Sequence, residues 1–379
     1  MRVEFLDLKR QYETIRGDVE RAVRDVLESQ RFILGPEVER LETEVAGLCQ
    51  TRHGVAVASG TDALILALQA LGVSSGDTVV TSAFSFFATA SSVARLGAWP
   101  VFADIEPSSF NLDPEAVARV ARPDTRAVMP VHLFGQCAEV ERIRDAATSA
   151  LGRAVPLLED AAQAIGARRH DRAAGSMAEA GCLSFYPTKN LGGAGDGGMM
   201  VTQDDAIAAK VRRLRAHGDV GRYDHRELGM NSRLDALQAA ILRVKVARLA
   251  EWNEARRHRA ALYDRMLTDL GVVEGRSGEL TLPGVAEGNL HTYHQYVVRS
   301  PRRDALAAFL AEREIGTAVY YPVPLHLQSC FAYLGYRAGD LPRTETACRE
   351  VLALPIYPEL TEREQEQVAV AIRDFHRKG

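Results

Sequence analysis

The sequence contains no C-x-x-C pair. Its five cysteines, Cys49, Cys137, Cys182, Cys330 and Cys348, are odd in number and scattered. That argues against a disulfide framework or a zinc ribbon, and free thiols in a reducing cytoplasm are expected. A basic excess is missing too: 46 Lys and Arg stand against 50 Asp and Glu, a net charge of −4. Nothing therefore points to nucleic acid or an anionic membrane surface as a partner. Long apolar runs are absent. The longest, "ALILALQALGV", is interrupted by Gln69 and is too short to span a bilayer. The stretch "MRVEFLDLKRQYETIRGD" breaks its apolar residues with charges, unlike a signal peptide. Internal repeats and low-complexity tracts are also lacking.

What is present has the composition of a globular protein. The 379 residues are 46% hydrophobic and 25% charged, enough chain for two domains sharing a cleft. Strand-length apolar runs alternate with helical patterns. "GVAVAS" precedes "TDALILALQAL", "DTVVTSAF" precedes "FATASSVARLG", and "WPVFADI" precedes "DPEAVARVA". "TRAVMPVHLFG" then precedes "AEVERIRDAATSA", and "AVPLLEDAA" follows. This rhythm predicts an α/β fold with a mostly parallel sheet flanked by helices.

After "GCLSFY" a glycine-rich loop runs straight into another strand, "MMVTQ". From Arg233 to Leu267 the spacing of Leu234, Leu237, Ile241 and Val244 predicts one helix. Beyond it, "NLHTYHQYVVRS" and "GTAVYYPVPL" read as strands and "PRRDALAAFLAEREI" as a helix. The expected division is a large α/β domain over 1–245, with an N-terminal helical segment, and a smaller α+β domain over 246–379.

The glycine loop is "SFYPTKNLGGAGDGGMM", residues 184–200. Gly193, Gly195 and Gly198 satisfy G-x-G-x-x-G, but a dinucleotide fingerprint must open a helix, and these glycines open a strand. A Walker A loop ends in Gly-Lys-Ser/Thr, whereas this lysine precedes the glycines. His291-Thr-Tyr-His294 lacks the glutamate of H-E-x-x-H, so no metal site is expected and these histidines read as structural or polar cleft residues.

Lys189 remains, either as a solvated surface lysine or as the chemistry. It follows a buried strand and precedes a loop without bulky side chains. A desolvated lysine has a lowered pKa and can attack an aldehyde, most commonly that of pyridoxal phosphate. That cofactor requires an acid for its ring nitrogen, an anion pocket and an aromatic face. Asp160 and Gln163 follow an apolar strand, at the edge where α/β ligands bind, although Asp160 also suits a helix cap. Ser59-Gly60-Thr61-Asp62 begins a helix, where amides and dipole accept phosphate, or is simply a cap. Phe84, Phe86 and Phe87 offer a ring to stack, or core.

These residues resemble the sugar-nucleotide aminotransferases of the DegT/StrS type, within fold type I of the pyridoxal-phosphate enzymes. The likeness runs nearly end to end, through "FILGPEVERLE", "ASGTDAL", "SFFATA", "VFADIEPSSFNLDP", "MPVHLFGQ", "EDAAQAIGA", "SFYPTKNLGGAGDGG", "GMNSRLDALQAA", "TYHQYVVR", "YYPVPLHLQ" and "LALPIYPEL". It implies that Lys189 binds the cofactor covalently, that Asp160 pairs with its ring nitrogen, and that Gln163 lies near its phenolic oxygen. Phe86 would stack on the ring, while Gly60, Thr61, Asp62 and Ser184 would hold the phosphate.

Asn231 and Arg233 would come from the neighbouring subunit, Asn231 toward the cofactor and Arg233 toward substrate, which implies a homodimer with shared sites. Tyr186, Tyr320, Tyr321 and His326 would border the sugar. Relatives with histidine in place of the lysine are dehydratases; this chain keeps Lys189. The ending G-D-G-G resembles members acting on 3-keto sugars, with G-E-G-G more usual for 4-keto sugars. The implied reaction moves an amino group from a donor, L-glutamate in most relatives, to a UDP- or dTDP-linked ketosugar. A dehydratase or a non-catalytic cofactor-binding regulator of the same fold, or a 4-keto sugar aminotransferase, is the alternative. Arg222, Tyr223 and His225 are loop candidates for the substrate diphosphate; Lys210, Arg212, Arg213 and Arg215 suit a solvated helix face.

Overall fold

The computed structural model describes residues 2–273 and 280–377. Five-residue runs rich in Val, Ala and Thr form the strands that organise it. These are β1 (His53–Val57), β2 (Thr78–Ser82), β3 (Trp99–Ala103), β4 (Thr125–Met129) and the shorter β5 (Leu158–Asp160). A two-residue hairpin follows, β6 (Arg168–Arg169) and β7 (Arg172–Ala173), then β8 (Ala180–Ser184) and β9 (Gly198–Thr202). One ladder has the order β1-β9-β8-β5 and another β3-β2-β4. Parallel bridges Val128↔Leu157 and Val131↔Asp160 join the two. In the resulting seven-stranded sheet only β9 runs against its neighbours. The expected mostly parallel sheet is therefore found, and the antiparallel strand is the one that the glycine loop enters without a helix.

Side chains on the two faces separate by the two-residue period of strands. Ala56, Val80, Val128, Met199 and Val201 belong to one apolar cluster. Val55, Val57, Val79, Ala127, Met129 and Met200 belong to another. The first cluster is covered by α2 (Pro36–Leu48), α5 (Pro114–Val120) and α6 (Val140–Leu151), and the second by α3 (Gly60–Ala70) and α7 (Asp205–Leu214), with Val93 of α4 (Phe87–Arg95). The N-terminal α1 (Leu8–Ser29) lies on α8 (Ala236–Val246) through Ile15, Val19 and Ile241.

Several expectations are corrected. The single helix from Arg233 to Leu267 is two, α8 and α9 (Leu249–Asp269), broken at Ala247 and Arg248. In "NLHTYHQYVVRS" only β10 (Asn289–Leu290) and β11 (Tyr296–Arg299) are strand. "GTAVYYPVPL" forms no strand and contributes one bridge, Ala318↔Ala353, because Pro322 and Pro324 have no N–H to donate. The helix in "PRRDALAAFLAEREI" is α10 (Arg303–Ala311). After it come α11 (Pro342–Glu350), β12 (Val351–Leu354), antiparallel to β11, and α12 (Glu362–Arg377). Tyr263, Tyr296, Leu306, Tyr357 and Ile372 form a separate core there. Val3, from the other end of the chain, joins this core and is bridged to Ile315. Leu249 still packs in the first cluster while Ala260 and Tyr263 pack in the C-terminal one. Among the described residues no helix is long and apolar enough to cross a membrane.

Candidate active site

β5 ends at Asp160, whose backbone is fixed on both sides. Its N–H donates to the Pro130 carbonyl and its carbonyl accepts from His132 N–H, each at 2.9 Å. The side chain is buried, accepting from Thr89 Oγ1 at 2.7 Å on Oδ2 and from Ala162 N–H at 3.3 Å on Oδ1. Burial pushes the carboxyl pKa up. The Thr89 bond opposes this most strongly, followed by the Ala162 amide and the nearby Lys189 charge.

Lys189 sits one turn past the end of β8, its N–H donating to the Tyr186 carbonyl at 2.8 Å. Burial lowers its ammonium pKa to about 8, against the attraction of Asp160. An amine that gives up its proton near pH 8 and a buried carboxyl therefore lie close enough to influence each other, beyond the ends of the parallel strands β8 and β5. If the cofactor-free protein is offered pyridoxal phosphate, capture should accelerate as pH rises through about 8 and then level off, because only the neutral amine attacks. Stopped-flow absorbance would read this. A midpoint near the ordinary lysine value of about 10.4 would contradict it.

The anion pocket is assembled from three elements. Ser59 caps α3, its Oγ accepting from Asp62 N–H at 3.1 Å and its carbonyl from Ala63 N–H at 3.0 Å. The first-turn amides of Gly60 and Thr61 have no intrahelical acceptor and remain for an anion. Gly198 pairs with Val57 on one side and Ser184 on the other. A Cβ on Gly198 would lie 2.4 Å from the Ser59 carbonyl carbon, and one on Gly60 would lie 2.8 Å from Ser184 Cβ. Only hydrogen lets the strand, the helix start and Ser184 close together. Gly198→Ala should displace the helix start, cost about 1–3 kcal/mol of stability and weaken cofactor binding measurably in a pyridoxal phosphate titration.

Phe86 stands at the start of α4, 58% exposed, 6.4 Å from the Tyr321 ring and free to cover a ligand ring. Gln163 links the two sides of the cleft: its Oε1 accepts from Phe134 N–H at 2.8 Å, and its Nε2 donates to Tyr321 Oη at 3.0 Å. Tyr320 packs edge-on against Tyr321, and Tyr186 is exposed beside the lysine turn.

The other expected residues have partners or positions of their own. Asp62 uses its amide on Ser59 and accepts from Ser232 Oγ at 2.7 Å on Oδ2. It holds the helix start in shape. His326, expected at the sugar, is 2% exposed, with Nε2 against Glu345 Oε1 at 3.2 Å. Asn231, expected to serve the neighbouring subunit's site, is exposed and accepts from Arg233 Nε at 3.0 Å. His291 and His294 are buried, and burial pushes both pKa values down, so they stay neutral. Arg213 stays partly exposed on the helix face, paired with Glu227, whereas Arg215 is buried against Glu42 and the Ala56 carbonyl and is no solvated charge. Tyr223 is exposed in its loop.

Two residues had no signal in the sequence. Thr89 reaches Asp160 across 71 positions, and Ser232 reaches Asp62 across 170. Both are small hydroxyls inside ordinary patterns, and only the fold shows their partners.

A mostly parallel sheet with a desolvated lysine facing a buried aspartate, beside a glycine-lined helix start, defines a fold type I enzyme dependent on pyridoxal phosphate. A family model matches residues 13–373, and the chain belongs to the DegT/DnrJ/EryC1/StrS aminotransferase family. It is 48% identical over 378 residues to a pleiotropic regulatory protein of Geobacillus stearothermophilus, covering 100% of this chain and 99% of that one. It is 41% identical over 374 residues to dTDP-3-amino-3,4,6-trideoxy-alpha-D-glucose transaminase of Streptomyces venezuelae, covering 99% and 96%. Among solved structures, S. venezuelae DesV in complex with a ketimine intermediate superposes with a TM-score of 0.94, at 41% identity, covering 99% of this chain and 98% of that one.

Proposed function

We propose that the protein is a pyridoxal-phosphate-dependent aminotransferase that converts a 3-keto sugar, linked to UDP or dTDP, to the 3-amino sugar. The observation that carries this is the Lys189 amine and the Asp160 carboxyl brought together beside the Gly60–Gly198 cradle. These residues fit the cofactor: the amides of Gly60 and Thr61 with Ser184 for phosphate, Phe86 for the ring face, and Asp160 for the ring nitrogen. Gln163 is positioned by Phe134 and Tyr321 for the phenolic oxygen. When bound, the cofactor supplies an aldehyde for amine exchange and a ring that accepts electron density.

Asp160 holds the positive charge of the ring nitrogen in place. Lys189 Nζ, once released, takes the proton from the donor's Cα and later returns one to the sugar's C3, as base and then acid. Tyr186, Tyr320 and Tyr321 border the sugar. Asn231 and Arg233 of a second copy complete the site, in a homodimer. The ending Gly195-Asp196-Gly197-Gly198 and the name of the S. venezuelae transaminase support the 3-keto position. L-glutamate is the donor and the cytoplasm the location.

The name of the Geobacillus stearothermophilus relative favours a second reading, a cofactor-binding regulator. Absorbance spectra of the cofactor-loaded protein with L-glutamate, followed by a panel of 3-keto and 4-keto nucleotide sugars, separate the readings. Bleaching by glutamate and amination of a 3-keto sugar are expected. A coloured protein inert to glutamate and other amino donors would favour the regulator.

A further inference from the structure

Thr89 lies on α4, whose own carbonyls are the usual acceptors for a helical threonine hydroxyl. Its hydroxyl instead crosses to the sheet and donates to Asp160 Oδ2 at 2.7 Å. Ser85, in the loop before α4, lies 2.7 Å from the same Thr89 Oγ1. All three groups are buried, at 4% exposure for Ser85, 1% for Thr89 and 4% for Asp160. A hydroxyl has one hydrogen, and an ionised carboxylate can only accept. With the Thr89 hydrogen directed at Asp160, Ser85 must donate to Thr89, so the order Ser85 to Thr89 to Asp160 is fixed.

From this relay we infer that Thr89 is a positioning residue for the transamination, holding Asp160 ionised and in one orientation, with Ser85 orienting the Thr89 hydroxyl. The inference rests on the reading of Asp160 as partner of the ring nitrogen. Oδ2 already accepts from Thr89, which leaves Oδ1, with only the longer Ala162 bond at 3.3 Å, the less engaged oxygen for the cofactor. A protonated Asp160 could still accept from Thr89 through its carbonyl oxygen, but a hydroxyl bonds the charged carboxylate more strongly, so the relay favours the ionised form. Burial works against that charge, and the Thr89 bond is the foremost influence opposing it.

The test compares Thr89→Val, which keeps the shape and loses the hydroxyl, with Thr89→Ser and Ser85→Ala. Two measurements are made: the rate of the glutamate half-reaction against pH in the loaded enzyme, and the infrared titration of the Asp160 carboxyl in the cofactor-free protein, identified by its loss in Asp160→Asn. Thr89→Val should lower kcat roughly 10- to 100-fold, the loss expected of a hydrogen bond to a charged group, while the glutamate KM changes little. Its acid limb and the carboxyl titration should both move to higher pH. Thr89→Ser should restore both, and Ser85→Ala should shift both in the same direction by less.

Wild-type titration in Thr89→Val, or equal impairment in Thr89→Ser, would overturn the inference. If Thr89→Val does not fold, an unshifted carboxyl in Ser85→Ala overturns it. Should the wild-type enzyme itself ignore amino donors, the aminotransferase reading falls, while the infrared titration still decides whether Thr89 holds the Asp160 charge.

Discussion

Lys189→Ala should leave turnover below about 10⁻⁴ of the wild-type rate, because it removes both the nucleophile and the acid–base group. Among the described residues no second amine is placed to substitute. The sequence has only five lysines, and Lys245, which reaches the glycine loop, donates its amine to the Gly192 carbonyl at 2.7 Å. The purified variant should also lack the visible colour of lysine-held pyridoxal phosphate. Lys189→Arg separates chemistry from charge: it keeps a cation near Asp160 but cannot attack an aldehyde, and the same loss is expected. A tenth of the wild-type rate in either variant would remove Lys189 from the mechanism.

Asp160→Asn should bind the cofactor and fold, yet lose roughly 100- to 1,000-fold in kcat, the scale at which one positioned electrostatic partner acts. The amide can still accept from Thr89 through its oxygen, so its NH2 is left toward the cofactor, and a donor there favours an unprotonated ring nitrogen. The direction of the stability change distinguishes this from damage to the fold. Burial raises the Asp160 pKa in the folded state, so the ionised carboxylate destabilises the cofactor-free fold above its unfolded pKa, and the penalty is complete at pH above the folded value. Asparagine carries no such penalty. The cofactor-free variant should therefore melt at or above the wild-type temperature at neutral pH. A lower melting temperature together with the activity loss would mean that the aspartate is structural.

Much of this was legible in the chain itself. The β-α rhythm up to residue 184 reflects strands buried on both faces, where composition follows position closely. Asp160 and Lys189 were legible because each follows such a strand. The C-terminal third was harder. "GTAVYYPVPL" has the apolar content of a strand, but its prolines remove donors and Leu325 bonds instead to the Ala83 carbonyl. The break at Ala247–Arg248 lies in a pattern whose period continues unbroken. Val3 joins a core made from the other end of the chain, and Thr89 and Ser232 act across long separations; no local window holds that information.

The antiparallel entry of β9 also sets an order of assembly. β1 has its partner not in the strand made next but in β9, His53 facing Thr202 and Val57 facing Gly198. The anion pocket has one wall in each strand, so a nascent chain on the ribosome possesses the helix start early and no pocket at all until Gly198 has emerged. Such long-range pairing slows folding. The chain therefore passes through synthesis of its first half without a place for the cofactor, and the vitamin-derived group can be taken up only by a sheet that has already closed.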